Sequence, residues 1–172
     1  MPESLIVKTK RDGTLTFLDN GGVNTFTVAF EAGDLSVTIP GPSVANFLDR
    51  GRFPSGNPSI RYQDDAPITG TFTAYLRDFD DGGTGTDTTL AEIISRSGLC
   101  DPSTGTWVST MGASGEVFAL TLRWEIEGTD HGDPADHTME LNHSVFTGSM
   151  SEGDPDTISL SFTSYTLYPT LT

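Results

Sequence analysis

The chain has 172 residues, with 24 Asp plus Glu against 9 Lys plus Arg and a formal charge of −15. That length is enough for one domain, residues 1–172, with a self-sufficient core, and so few cations exclude a protein that neutralises nucleic-acid phosphates. Cys100 has no partner within the chain, no stretch reaches the length of a membrane-spanning helix, and residues 1–11 lack the apolar core of a secretory signal, so the expected setting is a soluble protein made in a reducing cytosol, with no membrane partner.

Residues 5–9 and 14–18 read as short strands around Arg11-Asp12-Gly13, with positive φ expected at the glycine. Next, residues 23–31 place Phe26, Val28 and Phe30 on one face, and residues 34–40 do the same with Leu35, Val37 and Ile39, so Ala32-Gly33 is expected to join them as a tight hairpin. From 41 to 67 the periodicity disappears among prolines, and Arg50, Arg52 and Arg61 fall in this stretch, an asymmetry that points to docking on an acidic surface. Strand pattern resumes over 69–79, where Phe72, Ala74 and Leu76 oppose Thr71, Thr73 and Tyr75. An acidic, glycine-rich linker then leads to a helix over about 88–97: Thr89 and Glu92 have capping-box spacing, Leu90, Ile93 and Ile94 form a stripe, and Gly98 ends it. Residues 99–114 show no clear pattern.

Three long alternating runs follow, at 116–127, 137–149 and 156–169. In the first, Phe118, Leu120, Leu122, Trp124 and Ile126 oppose Ala119, Thr121, Arg123 and Glu125; in the third, Ile158, Leu160 and Phe162 oppose Ser159, Ser161 and Thr163. The second face of that third run is small, hydroxylated and uncharged, which suits either a solvated sandwich surface or a wall that another molecule passes without sticking. Many strands with one helix predict a mainly β fold: an antiparallel sandwich or barrel of about seven to eight strands, with one flanking α-helix.

Candidate chemistry is sparse. Asp130, His131, Asp133, Asp136 and His137 are the best metal ligands on offer, but their spacing matches no closed set, and an acidic turn between strands explains the same residues. Counting from Asp78, an EF-hand register fails at Gly82 and Thr89. There is no Gly-x-Ser-x-Gly elbow, Cys100 has no evident His partner, no phosphate-cradling glycine loop opens a helix, and no carboxylate pair stands out among the 24 acids. The expectation is a protein that is not an enzyme and uses no cofactor or metal.

In order along the chain, Asp12-Gly13-Thr14-Leu15-Thr16, Phe30-Glu31-Ala32-Gly33-Asp34-Leu35, Asp49-Arg50-Gly51-Arg52, Thr69-Gly70-Thr71-Phe72, Asp130-His131-Gly132-Asp133 and Glu152-Gly153-Asp154-Pro155-Asp156-Thr157-Ile158-Ser159 resemble major tail tube proteins of long-tailed bacteriophages, over about residues 11–167. The resemblance implies a β-sandwich with a flanking helix that assembles into hexameric rings stacked as a hollow, acidic tube for genome passage at ejection. Four strands of each subunit would join into one barrel around the lumen. It implies a place in the virion tail after assembly in the host cytoplasm, with tape-measure, tail-tip and tail-terminator proteins as partners and DNA passing without specific binding. On that architecture the candidate lumen face is Ser36, Thr38, Thr71, Thr73, Ser159, Ser161 and Thr163. The segment 41–67 falls where the family carries an inter-ring arm, and Arg50, Arg52 and Arg61 would meet acidic turns holding Asp130, Asp133, Asp136, Glu152, Asp154 and Asp156. Two other readings stand beside it: a monomeric carbohydrate-binding or adhesin-like β-sandwich with Trp107, Trp124, Tyr62 and Tyr75 as a stacking platform, and a small β-barrel hydrolase.

Overall fold

Alternation of apolar with polar residues builds the long strands of the computed structural model, which describes residues 13–20, 22, 24–28, 34–41, 44–45, 59–60, 66–76, 107–111, 117–126, 128 and 134–172. The strands are β1 (Gly13–Leu18), β2 (Thr25–Val28), β3 (Ser36–Thr38), β4 (Val44–Ala45), β5 (Ser59–Ile60), β6 (Ile68–Tyr75), β7 (Leu120–Ile126), β8 (His137–Ser151), β9 (Thr157–Ser164) and β10 (Thr170–Leu171). Eight of them form one antiparallel sheet in the order β2-β1-β7-β8-β9-β6-β3, with β10 added to β8, and β4 pairs with β5 separately. The fold is mainly β, as the alternation predicts; the helix expected over 88–97 and the strand over 5–9 lie outside the described residues.

The sheet curls over one core. Phe17 on β1 and Phe72 on β6 are four strands apart in the pairing order, about 19 Å on a flat sheet at the usual inter-strand spacing, yet their ring centroids are 6.3 Å apart. Phe146 on β8 meets Phe17 edge-on at 4.6 Å and Phe162 at 6.0 Å. Strands that curl this far bury one face completely. Leu15, Phe17, Leu122, Leu141, Ile158, Leu160, Phe162 and Phe72 are all at most 2% exposed, and fully burying each such side chain contributes roughly 1.5–3 kcal/mol. Gly70 lies in the middle of this face because a Cβ there would run into the Phe162 ring and the Ser36 carbonyl oxygen.

The turn in the sheet is made within β8, a strand of 15 residues. Its first part pairs with β7 and its second with β9, and between them Leu120 is opposite Ser144 while Leu122 is opposite Leu141. Two steps along β7 thus span three along β8, and His143 takes up the extra residue with φ at 52°. Carbonyls displaced from the ladder find hydroxyl donors instead. Ser144 Oγ donates to Leu141 O at 2.9 Å, and Ser164 Oγ and Thr166 Oγ1 both donate to Asn142 O at 2.6 Å. Ser144 and Ser164 are completely buried for this reason.

Several local expectations need correction. Among the described residues β3 pairs with β6 and β2 with β1, at opposite ends of the strand order, so the expected hairpin through Ala32-Gly33 does not join β2 to β3. Long-range pairing won over the tight-turn signal. Positive φ falls not at Gly13, which opens β1, but at Gly22, in the turn where Asp19 accepts from Asn24 N at 3.1 Å and Asn24 Nδ2 at 2.7 Å. The stretch 41–67 is not wholly irregular, since Val44 and Ala45 ladder with Ile60 and Ser59. The unassigned stretch near 107–111 packs beside the entry to β7: Thr110 N donates to Ala119 O at 2.8 Å, and Ser109 Oγ accepts from Ala119 N at 3.1 Å.

Candidate functional site

The seven hydroxyl residues of the candidate lumen face come together on one surface. Ser36 is opposite Thr71, Thr71 opposite Ser161, and Ser161 opposite Thr147, which makes one row across β3, β6, β9 and β8. Thr38, Thr69 and Thr163 form the row on one side, ending at Val145, while Thr73, Ser159 and Ser149 form the row on the other. Period-two alternation puts all of them on the face opposite Phe72, Leu160 and Phe146. Ser36, Thr38, Thr71, Ser159 and Ser161 are exposed, and Thr73 and Thr163 are half-buried. Thr147 and Ser161 hydroxyls bond across the strands at 2.7 Å. Thr147 and Ser149 belong to this surface although the sequence reading did not select them; the alternation Thr147, Ser149, Ser151 against Phe146, Gly148, Met150 is the signal that finds them.

Part of this face is grooved. Thr71, Thr73, Thr147, Ser149, Ser159 and Ser161 line an open groove of about 440 Å³ with Asp34 at its margin. No residue of β3, β6, β9 or the second part of β8 on this face carries a charge; the described acids lie at its edge, in Asp34 and in the exposed turn with Glu152, Asp154 and Asp156. That turn is held by Gly153 N donating to Asp156 Oδ1 at 2.8 Å and by Leu76 N donating to Asp156 O at 3.0 Å.

Both edges of this four-stranded half lack a described partner. β3 ends the strand order, and the second part of β8 has β9 on one side only. β7 does not extend along it, because Ala119 turns to Ser109 and Thr110 instead. Unpaired edge backbone is a template for another strand.

The remaining candidates divide. Asp136 precedes β8, where its Oδ1 accepts from Gly128 N at 2.9 Å, whereas Glu152, Asp154 and Asp156 follow β8, so Asp136 and that turn are at opposite ends of the strand. Arg50, Arg52, Arg61, Asp130 and Asp133 lie outside the described residues, as does most of the metal candidate at 130–137. The stacking platform does not form: Trp107 is 8% exposed within the core, Trp124 packs against the core, and only Tyr75 offers an exposed ring, Tyr62 being outside the described residues.

Solved structures share this architecture. A chain in the cryo-EM structure of the anti-feeding prophage (AFP) baseplate, 6-fold symmetrised, matches with a TM-score of 0.55 at 12% identity, covering 100% of this chain and 97% of that one. A chain in the cryo-EM structure of an extracellular contractile injection system, the PVC sheath/tube terminator in its extended state, matches with a TM-score of 0.52 at 11% identity, covering 100% and 97%. At such identities the likeness is one of fold. No family model matches the sequence, and no curated protein matches it.

Proposed function

We propose that the chain is a non-enzymatic, structural subunit of a phage tail tube, assembling with copies of itself into hexameric rings that stack into a hollow channel for genome passage. One observation carries this reading: a hydroxyl face without charge on its strands that spans β3, β6, β9 and the second part of β8, is grooved over three of them, and has both edges without a described partner. Edge pairing between copies closes such half-sheets into a barrel and removes the edges. The fold shared with chains of a contractile injection system terminator and a prophage baseplate supports a tail-associated role, as does the ordered set of segments resembling tail tube proteins.

On this reading the wall is neutral and not the acidic lining that the resemblance led one to expect, because the acids nearest to this face, Asp34 and the turn 152–156, are at its margin. A surface without cations has no means of releasing counterions from DNA, so the duplex gains nothing by stopping there. Hydroxyls keep the wall wetted while adding no charge. Arg50, Arg52 and Arg61 on the arm meet acidic turns of a neighbouring ring, each pair giving under about 1 kcal/mol but repeated around the ring. Tape-measure, tail-tip and tail-terminator proteins are the further partners, the virion tail is the location, and the host cytoplasm is where assembly occurs. A second reading, favoured by the contractile system among the structural neighbours, is the inner tube of a contractile particle.

Electron microscopy of the purified protein at high concentration, with and without a tail-tip initiator, tests the proposal. Six-fold rings or tubes are the expected result, and a monodisperse monomer under every condition overturns it. Within assembled tubes, the double variant Thr71→Lys, Ser161→Lys should retain DNA at low salt and release it at high salt, while unchanged DNA passage places these residues away from the channel.

A further inference from the structure

Beyond the hydroxyl face, exposed apolar side chains among the described residues gather at residues 165–171, where Tyr165 is 58%, Leu167 55%, Tyr168 67% and Leu171 70% exposed. Such a cluster on a soluble chain marks a contact surface more often than a free one. The segment is not a frayed tail. Tyr165 N donates to His143 O at 3.2 Å, Thr166 Oγ1 to Asn142 O at 2.6 Å, and Thr172 and Thr138 exchange backbone bonds at 3.0 and 2.8 Å. Its side chains are therefore presented from a backbone already fixed at both ends, which lowers the ordering cost of a contact.

Its position identifies what it meets. The segment follows β9, and the turn with Glu152, Asp154 and Asp156 precedes β9. The two surfaces are thus separated by a strand of 8 residues, about 27 Å at the usual rise per residue. Tyr75, 38% exposed, lies at the turn end, on the hydroxyl face and opposite Thr157. Beyond one end of β9, along the first part of β8 where Thr170 and Leu171 pair with Glu140 and Met139, the chain offers phenol donors and apolar carbon; at the other end of β9 it offers carboxylate acceptors beside an aromatic ring. We propose that the segment 165–171 docks a second copy of this chain end to end, on the rim formed by Tyr75 and the turn 152–156. Two unlike surfaces at opposite ends of one molecule make a heterologous contact that repeats without closing, as a stack requires. Phenol hydroxyls donate to the carboxylates, and the leucine side chains cover the Tyr75 ring. This rests on the tube reading and adds to it the residues that join one ring to the next.

The test uses the full-length chain with Tyr168→Glu, Tyr168→Lys and Leu167→Asp, followed by electron microscopy and sedimentation, with circular dichroism to check folding. Tyr168→Glu and Leu167→Asp should leave rings and abolish tubes, since each sets a new negative charge against the acidic rim. Tyr168→Lys should keep tubes at low salt. Tubes of wild-type length in the Glu and Asp variants overturn the proposal, and equal loss in the Lys and Glu variants overturns the acidic rim as the surface on which the segment docks. If the wild-type chain forms rings that never stack, this inference fails alone; if it forms neither rings nor tubes, the tube reading fails first.

Discussion

On the half of the sheet built from β2, β1, β7 and the first part of β8, the outward row runs Thr27, Thr16, Arg123, Glu140, and Arg123 Nη2 pairs with Glu140 Oε1 at 2.6 Å. On the half built from β3, β6, β9 and the rest of β8, the corresponding row runs Ser36, Thr71, Ser161, Thr147, with hydroxyls alone. Both halves cover the same core, and both face outward. In a chain with a net charge of −15, solubility alone gives no reason to leave four adjacent strands without a charge. The difference teaches that one outward face is charged and paired across its strands while the other is uniformly neutral, which is the contrast that the proposed channel role draws on.

Breaking the joint between the halves should have the largest effect. Phe17 touches rings from β8 and β6 and is fully buried, so Phe17→Ala is expected to cost about 3–5 kcal/mol in denaturant unfolding and to loosen both halves at once. Gly70→Ala strains only the hydroxyl half, where the new methyl meets Phe162 and the Ser36 carbonyl; a loss of about 1–3 kcal/mol is expected, with hydrogen exchange rising in β3 and β6 before β1 and β2. At the bend, Ser144→Ala removes the donor to Leu141 O and should cost about 1–2 kcal/mol. Smallest is Arg123→Gln, which removes a partly exposed ion pair and should change stability by under about 1 kcal/mol, an effect that fades further in high salt. If Arg123→Gln cost more than Gly70→Ala, the contrast between a charged solvated face and a constrained neutral one would be wrong.

Much of this was legible in the residues because a strand with one buried face must alternate. Leu120 and Leu122 against Thr121 and Arg123, and Ile158, Leu160 and Phe162 against Ser159 and Ser161, took the predicted faces. The three hydroxyl sets were likewise legible as separate faces. Their adjacency was not, since which strand lies beside which is decided by pairing across long stretches of chain, and the strong local turn signal at Ala32-Gly33 argued for the wrong neighbour of β3. Thr147 and Ser149 were missed for a different reason. In β8 the inward residues are Met139 and Leu141 before the bulge and Ser144 and Phe146 after it, so the sequence parity changes within one strand. A reader who holds the phase of Leu141 assigns Thr147 to the core.

That change of parity separates two properties that usually travel together. Removing His143 alone would turn three steps into two, pair Leu141 through Ser144 with Leu122 through Leu120 as an ordinary ladder, and leave Leu141 and Phe146 pointing inward and Thr147 outward. Hydropathy would become more regular while the strand straightened, and Phe17 would lose its reach to Phe146 and Phe72. The shortened chain would look like a better β-strand on paper and make a poorer container, because the curvature of this protein is written in the one residue that spoils its pattern.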